Sequence, residues 1–314
     1  MNPDNYPEEK FYPPKPNNRI ETSQQGKLLL SLILFIISFY WFSGKSIQSV
    51  IIFALCLLIH ELGHYIAMKA YNYQDTKIFF IPFLGAVTTG TKEEVSQKQQ
   101  LIILLAGPVP GILIGFILYY IGEYEANALF SKSGFVFILV NLVNILPIYP
   151  LDGGRILDTL YLGKNKIISK AFMLISTALL TYIAFKQQDY FLLILPAFIL
   201  LQFIGQMDVD KIKVRAESNA IRTNIRYEEL TDKEYWLLRD EIGVSSRAFF
   251  KIITPTVYEI AEQEAKVISF MQSILKKPII SDLTRTGRLI FMLIWIAFLL
   301  LPILFAINFL KLFH

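Results

Sequence analysis

Apolar runs of membrane-spanning length alternate with short polar joints along most of this chain. The runs occupy about residues 27–43, 47–70, 100–121, 134–150, 167–185, 190–206 and 288–310. A helix needs about 20 apolar residues to cross a bilayer, so the pattern predicts about seven spans. The fourth run is short and ends in Pro147, Pro150 and Asp152. The fifth and sixth are separated only by Lys186-Gln187-Gln188-Asp189, a tight helical hairpin turn. Between the second and third runs, Lys77 to Gly90 is apolar and β-prone but too short to cross, with Pro82 and Gly85 offering a turn. That stretch predicts a β-hairpin at the membrane face.

Two regions break the apolar pattern. Residues 1–26 are polar, rich in Pro and Asn, and lack the apolar centre of a secretion signal. They read as a disordered tail. Residues 207–287 are charged, carry Trp236 among several Tyr and Phe, and have helical periodicity. Thr231-Asp232-Lys233-Glu234 has the form of a capping box. Thr254-Pro255 predicts the start of a second helix, with Val257, Ile260, Ala261, Val267, Ile268 and Met271 as its apolar stripe. The expected organisation is a cytoplasmic tail (1–26), a transmembrane core (27–206), a soluble helical insert (207–287), and a last transmembrane helix with a short tail (288–314). The fold class is an all-α polytopic membrane protein of about seven transmembrane helices, with a small membrane-associated β-hairpin and a soluble helical insert.

Composition agrees. The chain is 54% hydrophobic and 18% charged, with a mean hydropathy of +0.46, which excludes an ordinary soluble domain and makes the lipid bilayer its medium. The sole cysteine, Cys56, lies in an apolar run, so no intrachain disulfide is possible. There is no nucleotide-binding glycine loop, and no nucleic-acid partner is expected. Charge distribution orients the chain. With the N-terminus cytoplasmic, only Lys45, Lys132, Lys186 and Lys311 of the 30 Lys and Arg fall outside, as the positive-inside rule requires. A bacterial cytoplasmic (inner) membrane fits so compact a chain.

The chemistry is concentrated in the second run. His60-Glu61-Leu62-Gly63-His64 contains both internal histidines of a chain that has only 3. On a helix, positions i and i+4 share a face, so both imidazoles can reach one metal ion, while Glu61 can take a proton from water. A carboxylate at the centre of a spanning helix costs about 2.5–3.5 kcal/mol on insertion scales, which argues for a use. A buried histidine pair bonded to neighbouring helices is the plainer alternative.

Catalytic zinc usually has three protein ligands and one open position. With no further internal histidine, an acid must complete the set. Asp152 is the best placed, in Asn144-Ile145-Leu146-Pro147-Ile148-Tyr149-Pro150-Leu151-Asp152-Gly153-Gly154, at the same membrane face as His64. The prolines break the helix and the glycines permit a tight turn. Asp152 as a helix N-cap is the competing reading, and Asp158 and Glu94 are poorer candidates. Asn141 and Asn144 sit three apart on the fourth run, able to bond between helices or, for Asn144, to hold a substrate backbone. Gly107, Gly111 and Gly115 read as a stripe for close helix packing.

Together, His60-Glu61-x-x-His64 and Asn144-x-x-Pro147-x-x-x-Leu151-Asp152-Gly153 resemble the site-2 protease family of intramembrane zinc metalloproteases. The apolar hairpin and Ala106-Gly107-Pro108 are similar to family features as well. Where the family often carries Asn after the Gly-Pro pair, this chain has Gly111. The resemblance covers about residues 45–165. It implies one Zn2+ ion held by His60, His64 and Asp152, Glu61 as the catalytic group that activates water, and Asn144 as a substrate-binding residue. It also implies hydrolysis of peptide bonds in or beside the transmembrane segments of a membrane-protein substrate. A catalytically inactive metal-binding scaffold would have no need of Glu61. A metal-ion transporter would want ionisable residues along a path through several spans, and four of the runs carry almost none.

Overall fold

A computed structural model describes residues 12–17, 25–42, 46–81, 85–92, 94–163, 165–246, 252–253, 258–275 and 279–312. It is mostly helical, with one two-stranded sheet among these residues. The chain divides into two compact units.

The larger unit, residues 23–203 and 279–314, carries the apolar helices. These are α1 (Gln25–Phe42), α2 (Ile47–Ala70), α3 (Gln97–Ala106), α4 (Pro108–Tyr124), α5 (Ala128–Ile145), the short α6 (Asp152–Leu157), α7 (Lys166–Lys186), the first part of α8 (Ile194–Ser218) and α11 (Arg285–Leu312). Among the described residues, six stretches are long and apolar enough to cross a membrane: 47–70, 97–124, 128–145, 166–186, 190–218 and 285–305. The first expected run coincides with α1. Pro108, which lacks an N–H, divides the expected third span into α3 and α4.

Strand β1 (Gln74–Ile81) pairs antiparallel with β2 (Gly85–Thr91), Ile81 opposite Gly85 and Phe79 opposite Val87. The hairpin is therefore where the sequence predicts it. Gly85 has a φ of 113°, a conformation that suits glycine, whereas Pro82 lies outside the described residues. The Phe80 ring packs against Phe35 of α1 at 5.5 Å, and α2 supports β2. The hairpin is thus fixed on the helix that bears the histidines.

The smaller unit, residues 1–22 and 204–278, holds the second part of α8 with α9 (Asp232–Ser245) and α10 (Glu264–Ile274). Its core gathers Ile212, Tyr227, Tyr235, Trp236, Leu238, Ile242, Val267 and Met271. The capping box at Thr231 forms, with the Thr231 hydroxyl on the Glu234 N–H and the Glu234 carboxylate on the Thr231 N–H. Arg239, buried at 2% exposure, is paired with Glu264 at 2.8 Å.

Two expectations change here. The expected start of the insert's second helix at Thr254-Pro255 lies outside the described residues; within them the helix runs from Glu264, and Ile260, expected in its apolar stripe, is 62% exposed and outside any helix. Burial of Val267, Ile268 and Met271 decides where this helix runs. Within the stretch expected to be a disordered tail, residues 12–17 are ordered against the smaller unit: Trp236 Nε1 donates to the Pro13 carbonyl and Tyr227 Oη to the Pro16 carbonyl. A polar, proline-rich composition is common to disordered tails and to docked extended segments, so composition alone does not separate them.

Candidate metal centre

Helix α2 carries His60 and His64 one turn apart, both buried, at 3% and 8% exposure. Asp152, 7% exposed, opens α6 just past the broken end of α5. The break follows from Pro147 and Pro150, and the return is tight because of Gly153 and Gly154. A Cβ on Gly153 would meet the Ile145 carbonyl, and one on Gly154 the backbone of Ile148 and Tyr149. Leu151, not Asp152, holds the cap position of α6, so the Asp152 side chain is free of the capping role. It turns to α2 instead.

The three candidate ligand atoms form a nearly equilateral triangle. Asp152 Oδ2 lies 3.1 Å from His60 Nε2 and 3.2 Å from His64 Nε2, and the two Nε2 atoms are 3.1 Å apart. The edge of a tetrahedron with bonds of about 2.0–2.1 Å is about 3.3 Å, so the set has the dimensions of three corners of a zinc site.

The outer nitrogens establish the protonation pattern. His60 Nδ1 is 2.8 Å from Asn141 Oδ1, and the Asn141 amide is oriented by its NH2 donating to the Phe137 carbonyl at 2.8 Å. His64 Nδ1 is 2.7 Å from the Ile103 carbonyl. Both partners accept, so both Nδ1 atoms carry the proton and both Nε2 atoms present lone pairs. These point at a carboxylate oxygen that is buried with no hydrogen bond of its own. Two lone pairs and an anionic oxygen converging without a donor is an arrangement that a cation satisfies. The buried His60, His64 and Asp152 group is compatible with metal binding.

Packing around the triangle is close. A Cβ on Gly107 would strike the imidazoles of His64 and His60, and one on Gly63 would strike the Ala106 carbonyl. Gly107 therefore does more than pack helix on helix: it makes room for both histidine rings. Gly115 does pack helices, against Ile138 and the Gly134 carbonyl of α5. At Gly111 the space is filled by the Asn141 side chain, which reaches His60 from α5. Where this chain has Gly111, the polar contact to His60 thus comes from Asn141 of α5.

Glu61 is 5% exposed. Thr88 of β2 places its hydroxyl 2.7 Å from Glu61 Oε2 and 3.1 Å from the Glu61 carbonyl. Asn144 stands apart from the triangle's hydrogen bonds: its amide donates to the Val140 carbonyl at 3.0 Å and stays partly exposed. Sequence reading thus missed Asn141 as the partner of His60, and Thr88 altogether. The three-residue spacing of the two asparagines held no clue to which one faces α2. Alternation along β2 could have placed Thr88 on one face of the hairpin, but not against Glu61.

Comparison with known proteins follows the same residues. Residues 48–129 match the model of peptidase family M50. That segment contains His60, Glu61, His64, Thr88 and Gly107, so the resemblance read from the motif is borne out there. Asn141 and Asp152 lie beyond it, and their place at the site rests on the geometry above. Among curated proteins, the chain is 31% identical over 109 residues to Stage IV sporulation protein FB of Bacillus subtilis, covering 34% of this chain and 38% of that protein. It is 29% identical over 168 residues to Zinc metalloprotease MJ0392 of Methanocaldococcus jannaschii, covering 48% and 49%. The chain thus spans less than half the length of these relatives. A solved site-2 protease from Methanocaldococcus jannaschii is similar at 24% identity and a TM-score of 0.43, over 56% of this chain and 85% of that one.

Proposed function

We propose that the chain is an intramembrane zinc metalloendopeptidase, which hydrolyses peptide bonds within or beside the transmembrane segments of membrane proteins. The observation that carries this reading is the convergence of His60 Nε2, His64 Nε2 and Asp152 Oδ2 at 3.1–3.2 Å, beside the buried Glu61. In this reading the three residues hold one zinc ion. When bound, zinc polarises a carbonyl and lowers the pKa of water to about 7.

The chain's own groups do the rest. Glu61 takes the proton of the attacking water and passes it to the leaving amine. The Thr88 hydroxyl holds Oε2, leaving Oε1 as the atom assigned to that transfer. Asn141 and the Ile103 carbonyl keep the imidazoles in the ligand tautomer. A transmembrane substrate is helical and its carbonyls are shielded, so it must unwind before hydrolysis. The hairpin offers an edge to the unwound strand, since β2 pairs with β1 alone among the described residues. The partly exposed amide of Asn144 is proposed to hold the substrate backbone.

The same reading places the tail and the smaller unit in the cytoplasm of a bacterial cell, and the metal site near the cytoplasmic face. His64 is six residues before Ala70, the end of α2, an axial rise of about 9 Å. Water therefore has a short path to the site. Replacing Glu61 with Gln keeps all three ligands. The expected result, with full-length protein in proteoliposomes, is unchanged zinc content by elemental analysis and loss of at least about 10²-fold in cleavage of single-pass substrates. Undiminished cleavage would overturn the role of Glu61. Absence of stoichiometric zinc in the wild-type chain would overturn the reading as a whole.

A further inference from the structure

Residues 12–17 lie against the smaller unit without helix or strand pairing. Pro13, Pro14 and Pro16 restrict φ to about −65° and have no N–H, which presets the segment toward polyproline II, with three residues per turn. Pro13 and Pro16 are therefore one turn apart on the same face, in the spacing Pro-x-x-Pro. Their carbonyls take matching bonds, from Trp236 Nε1 at 2.7 Å and Tyr227 Oη at 2.8 Å. The Tyr12 ring sits 5.2 Å from Tyr258, which in turn lies 5.5 Å from Trp236. Pro14 and Asn17 face outward and are exposed.

Lys15 is held as specifically as the prolines. Its ammonium donates to the carbonyls of Tyr227, Glu228 and Leu230 at 2.9, 2.8 and 2.6 Å, and stands 5.4 Å from the Tyr227 ring centre. Its backbone N–H donates to Asp232 Oδ1 at 2.9 Å. The arrangement has the parts of a peptide-recognition site: an aromatic wall, donors for the carbonyls of a ligand poor in N–H groups, and a pocket that reads one cation. Every contact is to a backbone carbonyl, the Lys15 backbone N–H, an aromatic face or the lysine head, and none requires the ligand to belong to the same chain.

We propose that the groove of Tyr227, Trp236 and Tyr258 is a recognition site for extended, proline-rich segments bearing a lysine. Residues 12–16 are its tethered occupant, exchanged for a segment of the same chemistry on a partner protein. Tethering to the same chain gives the resident segment an effective concentration on the order of millimolar. A partner must therefore bind tightly or present several copies, and the tail sets that threshold. The inference is independent of the metal centre.

The test uses the full-length chain in detergent, a variant with Tyr12, Pro13, Lys15 and Pro16 all replaced by Ser, and a fluorescent peptide of residues 8–20. The variant is expected to bind the peptide saturably, and the wild-type chain at least about tenfold more weakly. A peptide with Lys15→Ala should lose at least about tenfold. Adding Tyr227→Phe, which deletes only the hydroxyl that reaches Pro16, should cost about two- to tenfold. In the intact chain, millimolar peptide should accelerate hydrogen exchange at the Lys15 amide. Equal binding by both chains, no saturable binding to a folded tail variant, or no acceleration at Lys15 would each overturn the proposal. So would loss of protection in α9 of the tail variant, because the segment would then be a structural strap.

Discussion

An imidazole serves as a ligand only when its lone pair faces the ion, and the two histidines are held that way by different means. His64 is aimed by the Ile103 carbonyl, a backbone group that no substitution of a side chain removes. His60 is aimed by Asn141, whose amide fits only because Gly111 leaves room for it. Replacing Asn141 with Ala should free the His60 ring and weaken metal binding by about 10–100-fold, measured by competition with a chelator. Unchanged affinity would mean that helix packing alone orients the ring. The candidate ligands were legible in the sequence as a group that the fold brings together, because a four-residue spacing of scarce histidines puts both on one helix face and the prolines before Asp152 mark a return of the chain. Their supports were not. Asn141 and Asn144 are chemically identical and one turn apart, and only the contact of α5 with α2 decides which one touches His60. Thr88 meets Glu61 solely because of where the hairpin is docked.

At the scale of elements, helix type was plain wherever apolar runs were long, and obscure wherever contacts with other segments decide. The prolines after α5 leave the end of that helix with unpaired backbone groups, and other helices satisfy them. Trp295 of α11 donates its Nε1–H to the Ile145 carbonyl at 2.9 Å, and Ser176 of α7 accepts the Tyr149 N–H at 3.1 Å. Helix α11 lies outside the region of family resemblance, yet it supports the stretch that presents Asp152. Replacing Trp295 with Phe keeps an aromatic ring and orphans the Ile145 carbonyl. The expected cost is about 1–3 kcal/mol of stability, read as a lower midpoint in a detergent unfolding titration, with metal affinity falling in parallel. If stability falls while affinity holds, the bond serves the fold alone. No sequence pattern announces this contact, since it joins residues 150 apart in the chain.

Across the whole molecule, the docking of residues 12–17 constrains how many times the chain crosses the bilayer. A segment that bonds to Tyr227, Trp236 and Asp232 must share their compartment, so an even number of crossings separates Asn17 from Asn219. Helices α2, α3 with α4, α5, α7 and α8 supply five of the apolar stretches. If each of these crosses, a crossing by α1 makes the number even, and the prediction is seven spans with α11, as expected from the distribution of Lys and Arg. Labelling can check this directly, because Cys56 is fully buried and introduced thiols will be the accessible ones. Asn17, Gln188 and Asn219 are all exposed, Gln188 lying in the turn between α7 and α8. In sealed inside-out vesicles an impermeant maleimide should label cysteines at 17 and 219 but not at 188, and in right-side-out vesicles only the one at 188. Labelling of 17 and 219 from opposite sides would mean that α1 does not cross, and would require the tail to leave its groove in the membrane.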